Sequence, residues 1–216
     1  MTVSNTAEPL TARSLAFAEN YVPLSEQVSA ALENAAAANA PTPSKGTLAF
    51  LTFLAKTIKA ENVVEIGTGT GVSSLALLEG MTGDVVLTSI DSQTEWQQQA
   101  RKTLLDAGYP SPQFRLIAGI ALEVLDNLRD GAYDIVFING DEVEYVEYVA
   151  QAQRLLRPGG LLILHDALWN DLVADPRDES DESLIVREAL QAILDEETLT
   201  PAMLPLGNGL VVAYKN

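Results

Sequence analysis

The sequence predicts an α/β fold in which helices cover both faces of a mostly parallel sheet. From Asn62 onward, short apolar runs alternate with segments of helical periodicity. The runs Ile135–Ile138 and Leu161–Leu164 lack period-2 alternation, which is typical of strands buried on both faces. At 216 residues and 47% hydrophobic content, we expect one domain, residues 1–216, with a sizeable core.

Two helices are predicted ahead of the first strand, whereas residues 1 to about 23 are weakly patterned. The first helix begins near Ser25 and runs through the alanine-rich stretch Ala35–Ala38, ending before Pro41-Thr42-Pro43. The second carries apolar residues on one face, at Leu48, Leu51, Leu54, Ala55 and Ile58. We expect residues 1–60 to form a helical lid or dimerisation segment and residues 61–216 to form the core.

The remaining elements alternate between strand and helix and end in a hairpin. The predicted strands are Val63–Ile66, Val85–Ile90, Phe114–Ala118, Tyr133–Ile138 and Leu161–Leu164. One predicted helix begins at Val72. Four others span Glu95–Leu105, Leu122–Leu128, Val143–Leu156 and Leu184–Leu194. A turn is expected at Arg157–Gly160, and Met203–Leu206 with Leu210–Tyr214 would form the hairpin. The acidic stretch from Asp171 to Glu182 is predicted to be a solvated loop.

The composition excludes several function classes. The chain has no cysteine, and therefore neither a disulfide framework nor a cysteine nucleophile. Its formal net charge of −17 argues against nucleic acid as a partner, because phosphate binding needs clustered Lys and Arg. The N-terminus lacks a basic and then apolar signal region, and no apolar run is long enough to span a membrane. We expect a cytoplasmic protein without nucleic-acid or membrane partners.

A glycine-rich turn, Glu65–Gly71, joins the first strand to the helix after it. Glycines tolerate positive φ and let a ligand approach the backbone, and the helix then aims free N–H groups at that ligand. The dinucleotide fingerprint G-x-G-x-x-G needs glycine where Val72 stands. The pattern E-x-G-x-G-x-G instead resembles motif I of the class I S-adenosylmethionine (SAM) methyltransferases. We therefore expect the turn to hold an amino-acid tail and a ribose.

From about Pro43 onward the chain resembles the catechol and caffeoyl-CoA O-methyltransferase family. The matching segments are Ser44–Gly46, Val64–Gly71, Glu123–Leu125, Tyr133–Ile138, Leu155–Gly160 and Leu204–Leu210. The resemblance implies a Rossmann-like, seven-stranded sheet with one antiparallel strand, SAM as methyl donor and a homodimer. It also implies that Glu65, Gly67, Ser73, Asp91 and Ala121 contact SAM, with Pro41 or Thr42 closing over it.

Ligands of open parallel sheets collect beyond the carboxyl ends of the strands. Asp91 ends the second predicted strand, where a carboxylate can accept both ribose hydroxyl protons. The small residues of Gly119–Ala121 would leave room for the adenine; the alternative is an ordinary strand-to-helix turn. The predicted cofactor-binding set is Pro41, Thr42, Glu65, Gly67, Thr68, Gly69, Ser73, Asp91, Ser92, Gly119, Ile120, Ala121 and Asn139.

The resemblance fails at the metal positions. Family members that use a divalent metal carry Asp after the fourth strand and an Asp-Asn pair after the fifth. This chain has Asn139 at the first position and Asp166 and Ala167 at the other two, and Glu142 replaces the family's lysine. Mg²⁺ prefers hard oxygen ligands with carboxylate charge, so one carboxylate and one amide form a poor site. We expect no tightly bound metal.

His165 and Asp166, at the end of the fifth strand, are the predicted catalytic residues. Methyl transfer from a sulfonium needs the reacting atoms held in line, and a general base helps when the acceptor is a hydroxyl. His165 would be the base or would orient the acceptor; the alternative is a hydrogen-bonded histidine at a strand end. Asp141 and Glu142 are further candidates, and Trp169 would either wall the acceptor pocket or pack under the acidic loop.

The leading hypothesis is thus a SAM-dependent O-methyltransferase for a small, planar or aromatic hydroxyl acceptor. One alternative is a protein that keeps SAM or S-adenosylhomocysteine (SAH) but has lost catalysis, which the missing metal ligands and lysine motivate. The second is a nicotinamide-dependent oxidoreductase, which Val72 and Glu65 disfavour.

Overall fold

In the computed structural model, which describes residues 10–216, a seven-stranded sheet lies between two layers of helices. The strands are β1 (Asn62–Ile66), β2 (Val86–Asp91), β3 (Phe114–Ala118), β4 (Tyr133–Ile138), β5 (Leu156–His165), β6 (Leu199–Leu204) and β7 (Leu210–Lys215). The helices are α1 (Ala12–Glu19), α2 (Glu26–Ala37), α3 (Lys45–Thr57), α4 (Val72–Gly80), α5 (Thr94–Asp106), α6 (Ala121–Leu125), α7 (Tyr145–Leu155) and α8 (Asp181–Asp195). Short 3₁₀ turns occupy Ser111–Gln113, Glu142–Glu144 and Leu172–Ala174.

The strand order is β3-β2-β1-β4-β5-β7-β6. Strands β1 to β5 pair in parallel, whereas β7 runs antiparallel to both β5 and β6. This confirms the predicted Rossmann-like sheet of seven strands with one antiparallel strand. The strand order reverses between β1 and β4, and ligands of doubly wound folds bind outside such a switch point.

The central strands bury side chains on both faces. On β1, Val63 joins the core under α2, α3 and α4, while Val64 joins the core under α7 and α8. On β4, Ile135 joins the core under α2, α3 and α4, and Val136 joins the core under α7 and α8. Burial on both faces removes any need for polar residues at alternate positions, which explains the continuous apolar runs.

Helices α2 and α3 both begin at serine caps. The Ser25 hydroxyl accepts a hydrogen bond from the backbone N–H of Val28 at 3.0 Å, and the Ser44 hydroxyl accepts one from Thr47 at 3.1 Å. Each bond satisfies one of the unpaired donors at a helix N-terminus. Helices α2 and α3 therefore begin where the sequence indicates.

Helix α1 was not predicted, and none of its residues is buried. It is held by the Glu19 carboxylate, which accepts hydrogen bonds from the Ser44 hydroxyl at 2.7 Å and the Gly46 N–H at 2.9 Å. The Gly207 N–H also donates to Glu19. These partners are distant in sequence, so local periodicity carried no signal for α1. Residues 1–9 of the predicted lid or dimerisation segment lie outside the described residues.

Three predicted boundaries were wrong. The turn expected at Arg157–Gly160 is part of β5, which pairs Leu156 with Tyr133 and then shifts register; Gly159, at φ +81°, allows this bulge. Strand β6 begins before Met203 and includes Pro201, which an edge strand tolerates because one side needs no donor. Helix α7 begins at Tyr145 because Asp141 caps a 3₁₀ turn ahead of it.

Smaller differences concern helix ends. Helix α6 ends at Leu125, three residues before the predicted end, and α8 begins at Asp181. Within residues 10–216, no helix has both the length and the apolar composition that crossing a membrane requires.

Candidate active site

A cleft of about 610 Å³ opens at the carboxyl ends of β1 to β5. Backbone hydrogen bonds join these strand ends: Gly67 N–H to the Ile90 carbonyl at 2.8 Å, Asn139 N–H to the Ile66 carbonyl at 2.9 Å. The lining residues are Pro41, Thr42, Pro43, Ile66, Gly67, Gly69, Ile90, Asp91, Ser92, Gln93, Trp96, Gly119, Ile120, Ala121, Asn139, Gly140, Asp141, Glu142, Glu144, Tyr145, Tyr148, His165, Asp166 and Trp169. The cleft thus brings together ten of the thirteen predicted cofactor residues and both predicted catalytic ones.

The glycine-rich turn forms the floor of the cleft. Gly67 has φ +91°, and a Cβ at this position would lie 2.0 Å from the Asn139 carbonyl oxygen. Gly69 has φ +50°, but a Cβ here would meet only the Pro41 carbonyl oxygen, at 3.9 Å. Gly67 is therefore needed for close packing against β4, whereas the missing side chain of Gly69 leaves open space for a ligand.

Asp91 lies beside this turn at the end of β2. Its Oδ2 accepts a hydrogen bond from the Gly69 N–H at 2.9 Å, and its Oδ1 accepts one from the Gln93 N–H at 2.9 Å. A carboxylate has about four acceptor positions, so each oxygen can accept one further bond. Asp91 is consequently oriented by the protein while remaining able to bind two ligand hydroxyls.

The segment after β3 forms one wall. Gly119 is tied to β2 by a hydrogen bond from its N–H to the Asp91 carbonyl at 3.0 Å. Ile120 is 55% exposed although it is a large apolar residue, and Trp96 lines the same cleft. An apolar surface between two polar strand ends suits a flat heteroaromatic ring.

Glu65, Thr68 and Ser73 lie behind the floor instead of on the cleft surface, and all three are buried. The Glu65 Oε2 accepts hydrogen bonds from the hydroxyls of Ser74 and Ser89, the latter at 2.6 Å. Its Oε1 is buried and has no hydrogen-bond partner among the described residues. Burial raises the pKa of Glu65 to about 7, more than the serine hydroxyls lower it. Direct contact of these three residues with a cofactor stays a prediction.

The opposite end of the cleft contains His165, which is almost fully buried. Its Nδ1 has no hydrogen-bond partner within residues 10–216 and lies 3.4 Å from Asp166 Oδ2. Burial lowers the pKa of His165, against the opposing effect of Asp166 and Glu19, so the imidazole is neutral near pH 7. The Tyr145 hydroxyl donates to the main-chain carbonyl of His165 at 3.1 Å, which fixes the end of β5.

The loop after β5 holds unusual backbone conformations beside the cleft. Asp166, Trp169, Asn170 and Asp171 all have positive φ, between +44° and +65°. The β6–β7 turn supports this loop: the Leu168 N–H donates to the Asn208 carbonyl at 2.8 Å, and the Asn170 N–H donates to the Asn208 side-chain oxygen at 2.6 Å. Such strained positions persist where surrounding structure enforces them and cluster at functional sites. The loop places Trp169 on the cleft wall and also against the core.

Residues 18–216 match the sequence profile of a family described as O-methyltransferase. A protein of Mycobacterium sp. (strain JLS), provisionally named an O-methyltransferase, is 43% identical over 204 residues, which cover 94% of this chain and 92% of that protein. The chain belongs to the O-methyltransferase family. This confirms the family and the enzyme class predicted from the sequence, and sets aside the nicotinamide-dependent alternative.

Solved structures share the fold of this chain. A protein from Corynebacterium glutamicum superposes with a TM-score of 0.85 at 32% identity, over 92% of this chain and 94% of that one. An O-methyltransferase from Bacillus cereus, crystallised with SAH, gives a TM-score of 0.84 at 24% identity, over 95% and 98% of the two chains. At that identity the second comparison shows the fold alone.

The cleft is a poor fit for the divalent metal that the resemblance to the catechol-type family implies. Asn139 and Asp166 line it, but the third position is Ala167, a buried methyl group that cannot donate. Across residues 10–216, no group of three or more His, Asp or Glu side chains is arranged to hold a metal ion. One carboxylate and one amide give Mg²⁺ too little charge to replace its water.

Sequence reasoning missed two tyrosines and a tryptophan of this cleft. Tyr145 and Tyr148 lie three residues apart, on one face of the first turn of α7. Trp96 lines the wall from α5. The spacing of the tyrosines is typical of a core-facing helix, and both are indeed buried in the core; only the position of α7 beside the end of β5 also brings them to the cleft.

Proposed function

We propose that this methyltransferase binds SAM in the cleft and transfers its methyl group to a hydroxyl of a small aromatic acceptor, without a tightly bound metal. The observation that carries the proposal is Asp91, held at the end of β2 by the Gly69 N–H with acceptor capacity left on both oxygens. The SAH complex of the Bacillus cereus protein, which has this fold, supports the choice of ligand.

The two ends of the cleft divide the ligands. Asp91 and Ser92 would bind the ribose, and Gly119–Ala121 with Trp96 would hold the adenine. The turn at Gly67 and Gly69 would take the amino-acid tail, with Asn139 beside it and Pro41 and Thr42 above. Glu65, Thr68 and Ser73 would support that turn from behind. The acceptor ring would lie against Trp169, whose aromatic surface favours a planar molecule, and the buried Tyr145 and Tyr148 would support that end from behind.

His165 would remove the proton of the acceptor hydroxyl. SAM supplies a methyl group that its positive sulfur has already activated, so the protein must align the acceptor oxygen and receive its proton. A buried, neutral imidazole can accept that proton, and Asp166, 3.4 Å from Nδ1, stabilises the resulting charge. Because this route needs no Lewis acid, it agrees with the poor donor set at Asn139, Asp166 and Ala167.

We also propose a cytoplasmic homodimer in which residues 1–60 act as lid and dimerisation segment beside the core at residues 61–216. Phe17 and Phe53, on α1 and α3, are 69% and 58% exposed, and such apolar surface favours association. The absence of cysteine suits a reducing compartment. Sedimentation analysis of the wild type and Phe53→Ser tests the dimer: a single monomeric species at every concentration would contradict it.

Transfer of labelled methyl from SAM in a mixed metabolite extract tests the enzymatic proposal. Wild type should label a product with or without a chelator, and Asp91→Ala should not at the same SAM concentration. Binding of SAH without any transfer would favour the degenerate binding protein instead. Failure to bind either SAM or SAH would reject the assignment of the cleft.

A further inference from the structure

The acceptor end of the cleft is lined by carboxylates that no basic residue neutralises. Asp141, Glu142, Glu144 and Asp166 line it, and no Lys or Arg does as far as residues 10–216 form the wall. None of the four pairs with a Lys or Arg among the described residues; the single contact with a cationic type of side chain is His165 with Asp166. Glu142 stands where the catechol-type family places a lysine.

The hydrogen-bonding groups of this wall are mostly acceptors. The Tyr148 hydroxyl donates to Glu144, and the Tyr145 hydroxyl donates to the main-chain carbonyl of His165. Both phenol donors are therefore used within the protein. His165, more than nine-tenths buried in the cleft, has an Nδ1 without a hydrogen-bond partner in the described part of the chain. The groups that this wall leaves free to a ligand are mainly carboxylate oxygens, so a complementary ligand must supply donors.

Aromatic surface lies beside these carboxylates. The partly exposed ring of Trp169 lines the acceptor end, while Tyr145 and Tyr148, 1% and 2% exposed, lie behind it in the core. Aromatic faces attract cations, most strongly where water is excluded, and nearby carboxylates add to that attraction. An anionic group placed here would meet four negative side chains and no compensating charge.

We propose that the acceptor is a hydroxylated aromatic molecule that carries a protonated amine, and that Asp141, Glu142, Glu144 and Asp166 select it against neutral and anionic analogues. This proposal rests on the proposed function, since it assigns the charge of the acceptor at that site. A metal site is not the better explanation, because within residues 10–216 no three or more His, Asp or Glu side chains are grouped to hold a metal ion.

Three phenols with the same ring and different side-chain charge test the proposal. They are 4-(2-aminoethyl)phenol, 4-ethylphenol and 3-(4-hydroxyphenyl)propionate, titrated calorimetrically into SAH-saturated protein in the presence of a chelator. We expect the amine to bind about tenfold or more tighter than the neutral phenol, and the carboxylate to bind weakest. Raising the ionic strength should narrow the difference between the amine and the neutral phenol.

Two variants of one position assign the effect. Glu142→Gln should weaken the amine alone, and Glu142→Lys should move the preference toward the carboxylate. Asp84→Asn removes the same charge just before the amino end of β2, away from the cleft. It should leave the order of the three affinities unchanged. Tighter binding of the neutral or anionic phenol to wild type, or binding of none of the three, would overturn the proposal. A preference for the carboxylate that appears only with Mg²⁺ would also overturn it and would assign the carboxylates to a metal.

Failure of SAH to bind in the first step is a separate result. It would reject the proposed function, and this inference with it. Normal SAH binding with the wrong order of phenols would reject only the charge of the acceptor.

Discussion

Replacing Glu65 with glutamine should change how the stability of the protein depends on pH. Glu65 is fully buried under the glycine-rich turn, and its Oε1 has no hydrogen-bond partner within residues 10–216. Burial raises its pKa from 4.5 to about 7. Between these values the folded protein holds a proton that the unfolded chain has released, so the free energy of unfolding falls as pH rises through this window.

The magnitude follows from the size of the shift. One pKa unit corresponds to about 1.36 kcal/mol, and most of the 4.5-to-7 shift is expressed between pH 5 and pH 8. Glu65 should therefore remove about 2–3 kcal/mol of stability from the wild type across that range. Glutamine does not titrate, so the variant lacks this contribution.

Urea unfolding at a series of pH values measures the effect. The difference in unfolding free energy, Glu65→Gln minus wild type, should increase by about 2–3 kcal/mol from pH 5 to pH 8. Taking the difference cancels the repulsion of the acidic surface, which both proteins share. Glu33→Gln, at an exposed position of α2, is the matched control and should run parallel to wild type. Parallel curves for Glu65→Gln as well would refute a carboxyl group with a raised pKa.

Other predictions concern the cleft. Gly69→Val should abolish SAH binding while the variant still folds, as judged by circular dichroism, because its Cβ would enter open cleft at φ +50°; normal affinity would exclude Gly69 from the site. His165→Asn should lower kcat/KM by about 10²- to 10⁴-fold and remove the acid limb of the pH profile. In wild type that limb should lie below pH 6.5, since burial lowers the pKa of His165; an unchanged profile in the variant would exclude it as the base. Activity should survive exhaustive chelation. If chelation abolished turnover and micromolar Mg²⁺, Mn²⁺ or Ca²⁺ restored it, the proposal of a metal-independent reaction would be wrong.

Much of the fold was predictable because its signals are local. The apolar runs of β1 and β4 reflect burial on both faces, and the serines that cap α2 and α3 lie next to the helices they begin. The glycine-rich turn and Asp91 could be placed at strand ends from their order along the chain. Parallel topology then brings those ends to one edge of the sheet.

The features that were missed depend on contacts between distant segments. Helix α1 has no buried residue. It is held by hydrogen bonds that the Glu19 carboxylate accepts from Ser44 and Gly207, which lie 25 and 188 positions away in the sequence. The tyrosines of α7 belong to the cleft only because that helix lies beside the end of β5. Likewise, Glu65 is buried below the floor of the cleft whereas Gly67, two residues later, lines it. A motif match does not distinguish a residue that lines the cleft from one that supports it.

Calorimetric titration of SAH into wild type and Asp91→Ala tests the central claim most directly. Asp91 Oδ2 accepts from the Gly69 N–H and Oδ1 from the Gln93 N–H, and each oxygen can accept one further bond. Hydrogen bonds to a charged group contribute about 1.5–3 kcal/mol. The variant should therefore bind SAH about 10- to 150-fold more weakly. Asp84→Ala removes an equal charge just before the amino end of β2, away from the cleft, and should bind SAH like wild type. An unchanged dissociation constant for Asp91→Ala would contradict the assignment of this cleft as the cofactor site.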